Sequence, residues 1–413
     1  MAIILILHLF FRFYLLFERA DFGWDQVDSA RAASTILVDH QYFINGPVAK
    51  GNSGIYMGPL YYYLITPFYF FTHLDPIASP VFQGVLSVVN LFIVFFVTKK
   101  LFGTNIAFMA SFINTFSLTI MNADRVQSAY YLIVPVSYLI FYALYRVISG
   151  NEKSILYLAV FTGLAFHVDF VSVFYPILIL LALPFFPRTK KSLKYILLSI
   201  PIFLLFLLPS LIKGLSAAHA TTHSFGYLLQ NYYHGIHVTR IFQLWHDAFI
   251  SFEQILQFRF FRMFVFLVLP IFMVIYYSKN PKRQSVLLFY LMAIWIIVPW
   301  IVLSTYSGEL TNYYFSLPMD LAIAMLAYIT VFLFQRKQII FKIIPVVFWG
   351  IYAISSMQVF FGLPEGNMQR MRQHVRLSVV EGRTIPYHEK SAESYFYYFF
   401  TEIEPASKKP TKS

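Results

Sequence analysis

Apolar runs of bilayer length, separated by short gaps that hold nearly all the charge, restrict this chain to one kind of fold. Runs of about 17 to 25 apolar residues match the thickness of a hydrocarbon core. In lipid such segments satisfy their backbone hydrogen bonds internally, which favours helices. Of 413 residues, 59% are hydrophobic and only 12% charged. A soluble domain carries roughly twice that charged fraction and has no means of hiding this much apolar surface. The expected fold class is therefore an all-α polytopic membrane protein with about eleven transmembrane helices. The spans read as Ala2–Phe17, Pro76–Val97, Ile106–Met121, Tyr130–Leu144, Ile155–Phe166, Phe170–Phe186, Tyr195–Ile212, Met263–Tyr277, Val286–Leu303, Leu317–Phe334 and Ile339–Met357. The first is short and contains Arg12, so either the start is truncated or Arg12 snorkels to the interface. It lacks a basic flank and a cleavage site, and reads as a retained helix.

The charges set an orientation. Lys and Arg gather in every second loop: Lys99 and Lys100; Arg146 and Lys153; Arg188, Lys190, Lys191 and Lys194; Lys279, Lys282 and Arg283; Arg336, Lys337 and Lys342. These loops are expected to face the cytoplasm. Of the thirteen acids before Glu365, only Glu152 falls on that side. The N-terminus is then cytoplasmic and the C-terminus extracytoplasmic, in the cell membrane. The net charge of +12 is spread over these loops rather than one patch, which argues against nucleic acid. The absence of cysteine removes disulfides, thiolate metal sites and cysteine nucleophiles.

Residues 1–361 read as one transmembrane domain with outer loops at 18–75, 122–129 and 213–262, and residues 362–413 as a short outer tail that needs to dock on the membrane body. The first outer loop carries two expected interfacial helices, Asp28–His40 and the aromatic Tyr61–His73. It opens with Glu18, Arg19, Asp21, Asp25, Gln26, Asp28 and Arg31. Carboxylates at the lipid edge are costly unless hydrated, paired or functional, and close acids raise one another's pKa, which suits a general base. The plain alternative is a solvated loop paired with Arg19 and Arg31. Tyr56, Gly58, Pro59 and Tyr61–Tyr63 suggest an amphipathic groove, or else an anchoring aromatic belt. Asp124 and Arg125 form an acid–base pair at a helix end, with a local ion pair and cap as the plain reading. His167 and Asp169 can orient a base or ligate a metal, or simply form a polar corner. His219/His223 and His234/His237 are spaced to share a helix face near Arg240, a hint of anion or metal binding.

The order of these features resembles the GT-C membrane glycosyltransferases, and among them the dolichyl-phosphate-mannose–protein mannosyltransferase family and its bacterial relatives that use undecaprenyl phosphate. The resemblance rests on Asp25-Gln26, Asp28, the Gly58-Pro59-Leu60-Tyr61-Tyr62-Tyr63 stretch and Asp124. It implies a GT-C-like fold and transfer of a sugar from a polyprenyl-phosphate donor to a hydroxyl of a protein, lipid or glycan acceptor, with inversion, on the extracytoplasmic face. Asp25 then stands where the base is expected, with Asp28 or Asp21 as alternatives, and Asp124 at the place of a second acid. The family often has Asp-Glu at the first position, where this chain has Asp25-Gln26. A Lys-Pro-Pro element of some relatives is replaced by Gly58-Pro59, so the phosphate needs another cation: Arg31, Lys50, Arg125, His167 or Arg240. No cofactor is implied, and a divalent cation is left open. The competing readings are a flippase for lipid-linked sugars, which would carry mid-membrane charge and inverted repeats, and a polysaccharide ligase working through the 213–262 loop.

Overall fold

A computed structural model describes residues 1–48, 55–216, 230–256, 262–280 and 283–403. Among these, regular structure is helical, apart from isolated antiparallel bridges pairing Val48 with Tyr56 and Tyr233 with Tyr306. Lys50, His219 and His223 lie outside the described residues.

Helix α1 (Ala2–Phe13) stops at Tyr14, and Leu15 takes a left-handed φ of 47° before the single turn α2 (Leu16–Arg19). The two expected interfacial helices are α3 (Trp24–Leu37) and α4 (Leu60–Phe71), which pack on one another. Helix α3 begins four residues before its predicted start, where the Gly23 amide donates to Gln26 Oε1 at 2.7 Å and so satisfies a free N–H of the first turn. Helix α5 (Ala78–Phe102) ends in Lys99 and Lys100, where cations complement the helix dipole. Gly103, at φ 101°, turns the chain into α6 (Thr104–Phe116). The short α7 (Leu118–Ala123) follows, then α8 (Ala129–Ile148), α9 (Ser154–Ala165), α10 (Phe174–Ala182) and α11 (Lys190–Ser216). Beyond come α12 (Val238–Leu244), α13 (Ile250–Leu256), α14 (Arg262–Lys279), α15 (Arg283–Ser304), α16 (Met319–Phe334) and α17 (Ile340–Phe361). The chain closes with α18 (Asn367–Val380) and α19 (Ala392–Tyr398).

Every predicted span falls on a helix. Helices α5, α8, α11, α15 and α17 are long and apolar enough to cross a bilayer, and α1, α9, α16 and the segments Phe170–Phe185 and Leu267–Lys279 are shorter apolar helices. Helix α16 is central: Asp320 to Tyr328 are all buried. A polar clip crosses the bundle nearby, with Trp295 Nε1 donating to Ser137 Oγ at 3.0 Å and Ser137 Oγ donating to the Leu317 carbonyl at 2.9 Å. Helix α11 packs on α9 but turns Leu197, Leu204, Leu205 and Leu208 outward. An apolar face of that length is stable in lipid rather than water.

Two buried clusters organise the molecule. The larger fills the bundle. The smaller joins Phe22, Val27, Ala30 and Ala33 of the α3 region to Tyr61, Ile65 and Tyr69 of α4, the start of α5, and Met368, Val375, Phe396 and Phe400 of the C-terminal segment. The tail is thus seated on the acidic-loop end of the bundle. Arg31 holds it, donating to the carbonyls of Glu389 at 2.8 Å and His388 at 3.2 Å.

Arg12 does not snorkel. Its side chain is 0% exposed and turned into the bundle, where Nη1 and Nη2 donate to the carbonyls of Thr115 at 2.7 Å and Asn114 at 3.0 Å. These belong to the last turn of α6, whose carbonyls lack helical partners. Nε and Nη2 both lie 2.9 Å from Asp124 Oδ2. Arg125 makes the reciprocal contact, donating to the carbonyls of Tyr14 at 2.8 Å and Leu15 at 3.0 Å, just beyond α1. The two arginines therefore cross-tie the ends of α1 and α6. Asp124 pairs with Arg12, not with its neighbour Arg125.

Arg12→Met should leave Asp124 buried without its countercharge and cost roughly 3–5 kcal/mol. Arg12→Met combined with Asp124→Leu should recover most of that loss. Thermal unfolding in detergent checks both, and a single variant as stable as the wild type contradicts the cross-tie.

Candidate active site

A cavity of about 790 Å³ opens at the acidic-loop end, between α5, α7, α8, α13 and the segment before α16. Asp124 stands in its wall. Both guanidinium contacts fall on Oδ2, so Arg12 does not occupy Oδ1. Burial raises the Asp124 pKa, and the Arg12 charge opposes this. Asn90 and Gln254 line the same cavity, each with a buried amide oxygen that has no hydrogen-bond partner. One wall is aromatic. Tyr130 stacks on Tyr313 with centroids 4.5 Å apart at 17°, and touches Tyr131 at 4.2 Å. Such flat, half-polar faces suit the mixed surface of a sugar ring. Burial and then the Asp169 charge raise the Tyr313 pKa, so its hydroxyl remains a donor.

Asp25 and Asp28 lie on the first turn and a half of α3 and are not among the residues that line this cavity; Asp25 reaches the same chain turn through Ser128. Asp25 is half-buried, and Ser128 Oγ donates to its Oδ2 at 3.4 Å. Its charge also reaches Tyr130, two residues further on. Asp28 Oδ2 accepts a 2.6 Å bond from Tyr62. Both acids are pushed up from the ordinary aspartate range, first by burial. At Asp25 the Ser128 hydrogen bond and Lys390 oppose this while Asp28 adds to it. At Asp28 Tyr62 and Lys390 oppose it and Glu389 adds to it. Lys390 comes from the docked tail, with Nζ 5.2 Å from the centre of the Trp24 ring. Asp21 is turned away and accepts from the Asn367 amide at 2.9 Å.

Gln127 holds the two outer loops together, and nothing in the sequence reading singled it out. Its Nε2 donates to Tyr61 at 2.6 Å and Ser29 at 3.2 Å, its Oε1 accepts from Ser79 at 2.8 Å, and its carbonyl accepts from Gln26 Nε2. Gln26 Oε1 in turn accepts from the Gly23 amide at 2.7 Å. Gln26 is thereby buried with both ends of its amide engaged. A lone glutamine in a polar loop carries no signal for this role. Only the tertiary contact reveals it.

The remaining candidates are spread around this centre. His167 Nε2 bonds the Phe206 carbonyl at 2.7 Å, while Nδ1 lies against Gly58, whose amide donates to Phe166 O at 3.3 Å. Burial lowers the His167 pKa, and the Phe206 carbonyl opposes this. Asp169 caps the turn Phe170–Val173 through the Val171 amide at 2.8 Å. The Tyr56 carbonyl accepts from Ser210 at 3.1 Å, and Pro59 caps α4. Arg31 donates to the tail at the Glu389 and His388 carbonyls and the Ser394 hydroxyl, Arg125 donates to carbonyls beyond α1, and burial with the charges of Arg19 and Arg12 lowers Arg125 to about 10, against Glu18. Arg240 is on α12 and does not line the cavity. His234 and His237 precede α12 in irregular chain rather than sharing a helix face; His237 bonds the His234 carbonyl at 2.6 Å. His246 instead bridges Asp247 at 3.0 Å and Glu253 at 2.8 Å. Among the described residues, no three of His, Asp and Glu converge as a metal site.

The arrangement of helices is that of the GT-C fold. Residues 57–212 match the family described as dolichyl-phosphate-mannose-protein mannosyltransferase. The chain superposes on ArnT from Cupriavidus metallidurans bound to undecaprenyl phosphate with a TM-score of 0.60 at 13% identity, covering 96% of this chain and 68% of that one. It superposes on the archaeal oligosaccharyltransferase AglB from Archaeoglobus fulgidus, in complex with an inhibitory peptide and a dolichol-phosphate, with a TM-score of 0.58 at 12% identity, covering 100% of this chain and 60% of that one. No curated protein sequence matches the chain.

A Cβ at Gly58 would lie 1.9 Å from His167 Nδ1. Gly58→Ala should therefore displace the α4 entrance and destabilise the protein by about 1–3 kcal/mol. Unfolding in detergent reads this, and adding His167→Ala should restore most of it.

Proposed function

We propose that the chain is a membrane glycosyltransferase that moves a sugar from a polyprenyl-phosphate donor to an acceptor hydroxyl, at the end of the bundle that the basic-loop pattern puts outside the cell. The observation that carries this is the cavity with Asp124 in its wall and the acid-bearing helix α3 tied to the same turn, residues 124–130.

The acceptor oxygen attacks the anomeric carbon and forms the new C–O bond. The bond from that carbon to the phosphate oxygen breaks, and polyprenyl phosphate leaves with the electron pair. A carboxylate takes the acceptor proton. Asp25 fits this task better than its neighbours: Asp124 already shares Oδ2 with a guanidinium, and Asp28 already accepts a short bond from Tyr62. A raised pKa makes Asp25 a stronger base once ionised. Attack on the face opposite the phosphate inverts the configuration. Asp124, Asn90 and Gln254 in the cavity wall would supply polar contacts for sugar hydroxyls, with Tyr130 and Tyr313 against the ring. Arg31 and Arg125 are held by backbone carbonyls, which leaves Lys390 as a cation beside the acids for the charge that develops on the leaving phosphate. In the relatives named above, undecaprenyl phosphate and dolichol-phosphate are the bound lipids.

Purified protein incubated with polyprenyl-phosphate sugars and a panel of acceptors tests the reading. Asp25→Asn should lower transfer by 100-fold or more, about the contribution of a general base, with unchanged unfolding temperature. Full activity in that variant removes Asp25 from the mechanism.

The base must be ionised to act, so the acidic limb of kcat/KM should lie above the ordinary aspartate range and activity should rise through it with pH. Lys390 favours the ionised form, so Lys390→Gln should move that limb to higher pH. A limb that stays in place means that Lys390 does not act on the base.

A further inference from the structure

At the opposite, basic-loop end, a second cavity of about 500 Å³ lies between α5, α8 and α9. Three cations from three different places converge on it: Lys100 from the last turn of α5, Arg146 from the last turn of α8, and Lys153 from the residue preceding α9. None of the three makes an ion pair among the described residues. Arg146 donates to the Tyr142 hydroxyl at 3.0 Å, a neutral partner. Glu152, the acid beside Lys153 in the chain, is engaged by the Thr189 hydroxyl instead. The cavity lining therefore carries three cations and no acid, and an anion is what would balance the excess.

Its other wall is apolar. Phe96 and Phe161 line it, with Tyr157, and Phe96 and Tyr157 are 56% and 53% exposed. These side chains stand on helices that run toward the bilayer, so the exposed apolar surface faces hydrocarbon. A free anion such as phosphate would use the cations and leave this surface idle. A phospholipid would use both, with its headgroup phosphate among the cations and an acyl chain along Phe96 and Tyr157. The volume falls within the usual range of small-ligand sites, about 300–1,000 Å³.

We infer that the cavity between α5, α8 and α9 is a binding site for an anionic phospholipid of the leaflet at the basic-loop end, held by Lys100, Arg146 and Lys153. The site is separate from the acidic-loop cavity, and its occupancy does not depend on what reaction occurs there. Anionic lipid is attracted to juxtamembrane Lys and Arg by about a few-fold in affinity per residue, so three around one headgroup give a selective site rather than a diffuse preference.

The test uses the full chain in detergent, with phosphatidylglycerol, phosphatidylcholine or inorganic phosphate added, read by native mass spectrometry and by unfolding temperature. Phosphatidylglycerol should remain bound and stabilise the protein more than phosphatidylcholine does. Lys100→Gln combined with Lys153→Gln should weaken phosphatidylglycerol binding on the order of tenfold, while its unfolding temperature in phosphatidylcholine stays at the wild-type value. If that variant is unstable in phosphatidylcholine, Arg146→Gln carries the same comparison. Equal phosphatidylglycerol binding by wild type and variant overturns the site. Equal protection by phosphatidylcholine overturns the charge selectivity, and equal protection by inorganic phosphate overturns the lipid assignment.

Discussion

The contact between Arg12 and Asp124 fixes how the first helix meets the rest of the bundle. Moving a guanidinium and a carboxylate out of water costs several kcal/mol per ion, so the pair persists only where geometry and further hydrogen bonds compensate. Here they do. The planar guanidinium meets one carboxylate oxygen with two of its nitrogens and caps two open carbonyls of α6 with its terminal nitrogens. A lysine would supply one point charge and leave part of that set unmet. Arg125 caps the C-terminal end of α1 in the same way, through the Tyr14 and Leu15 carbonyls. The outcome for function is indirect but strong. Asp124 is pinned through one carboxylate oxygen in the wall of the cavity, which fixes where its charge sits.

A neutral lock does the corresponding work for α3. Gln26 must both accept, from the Gly23 amide, and donate, to the Gln127 carbonyl. A glutamate at this position could accept from Gly23, but its second carboxylate oxygen would face a carbonyl oxygen. An amide satisfies both directions without introducing charge. The Asp25-Gln26 pair, a departure from the Asp-Glu common in the family it resembles, is thus matched to Gln127. The lock keeps Asp25 and Asp28 at the edge of the buried layer, where burial raises their pKa values.

The spans were legible because a bilayer imposes length and apolarity on each segment separately, with no knowledge of its neighbours. For the same reason α3 and α4 could be placed: one is too polar and the other too short to cross. What stayed hidden was pairing across distance. Arg12 and Asp124 are 112 positions apart, and the nearer Arg125 was the natural partner on sequence spacing. His234 and His237 shared a face only if a helix ran through them, and the helix starts one residue later. Gln127 has no chemistry of its own to mark it. At the candidate site, the acids stood out because carboxylates at a lipid edge are rare, whereas Asn90, Gln254, Tyr130 and Tyr313 come from four separate segments and meet only in the folded chain.

The C-terminal segment shows why the site cannot be divided from the fold. Helix α3 is amphipathic in a loose sense: Val27, Ala30 and Ala33 are buried, yet its outer side carries Asp25, Asp28 and Arg31. A helix lying at the interface with such a face needs a cover, and α18 and α19 provide it with Met368, Val375 and Phe396. Arg31 anchors that cover through carbonyls of residues 388 and 389, and the very next residue is Lys390. Burying the apolar side of α3 and delivering a cation to its acidic side are therefore one packing event. A tail that lost its hold on Arg31 would at once expose α3 to water and withdraw the positive charge that keeps Asp25 and Asp28 closer to their ionised forms.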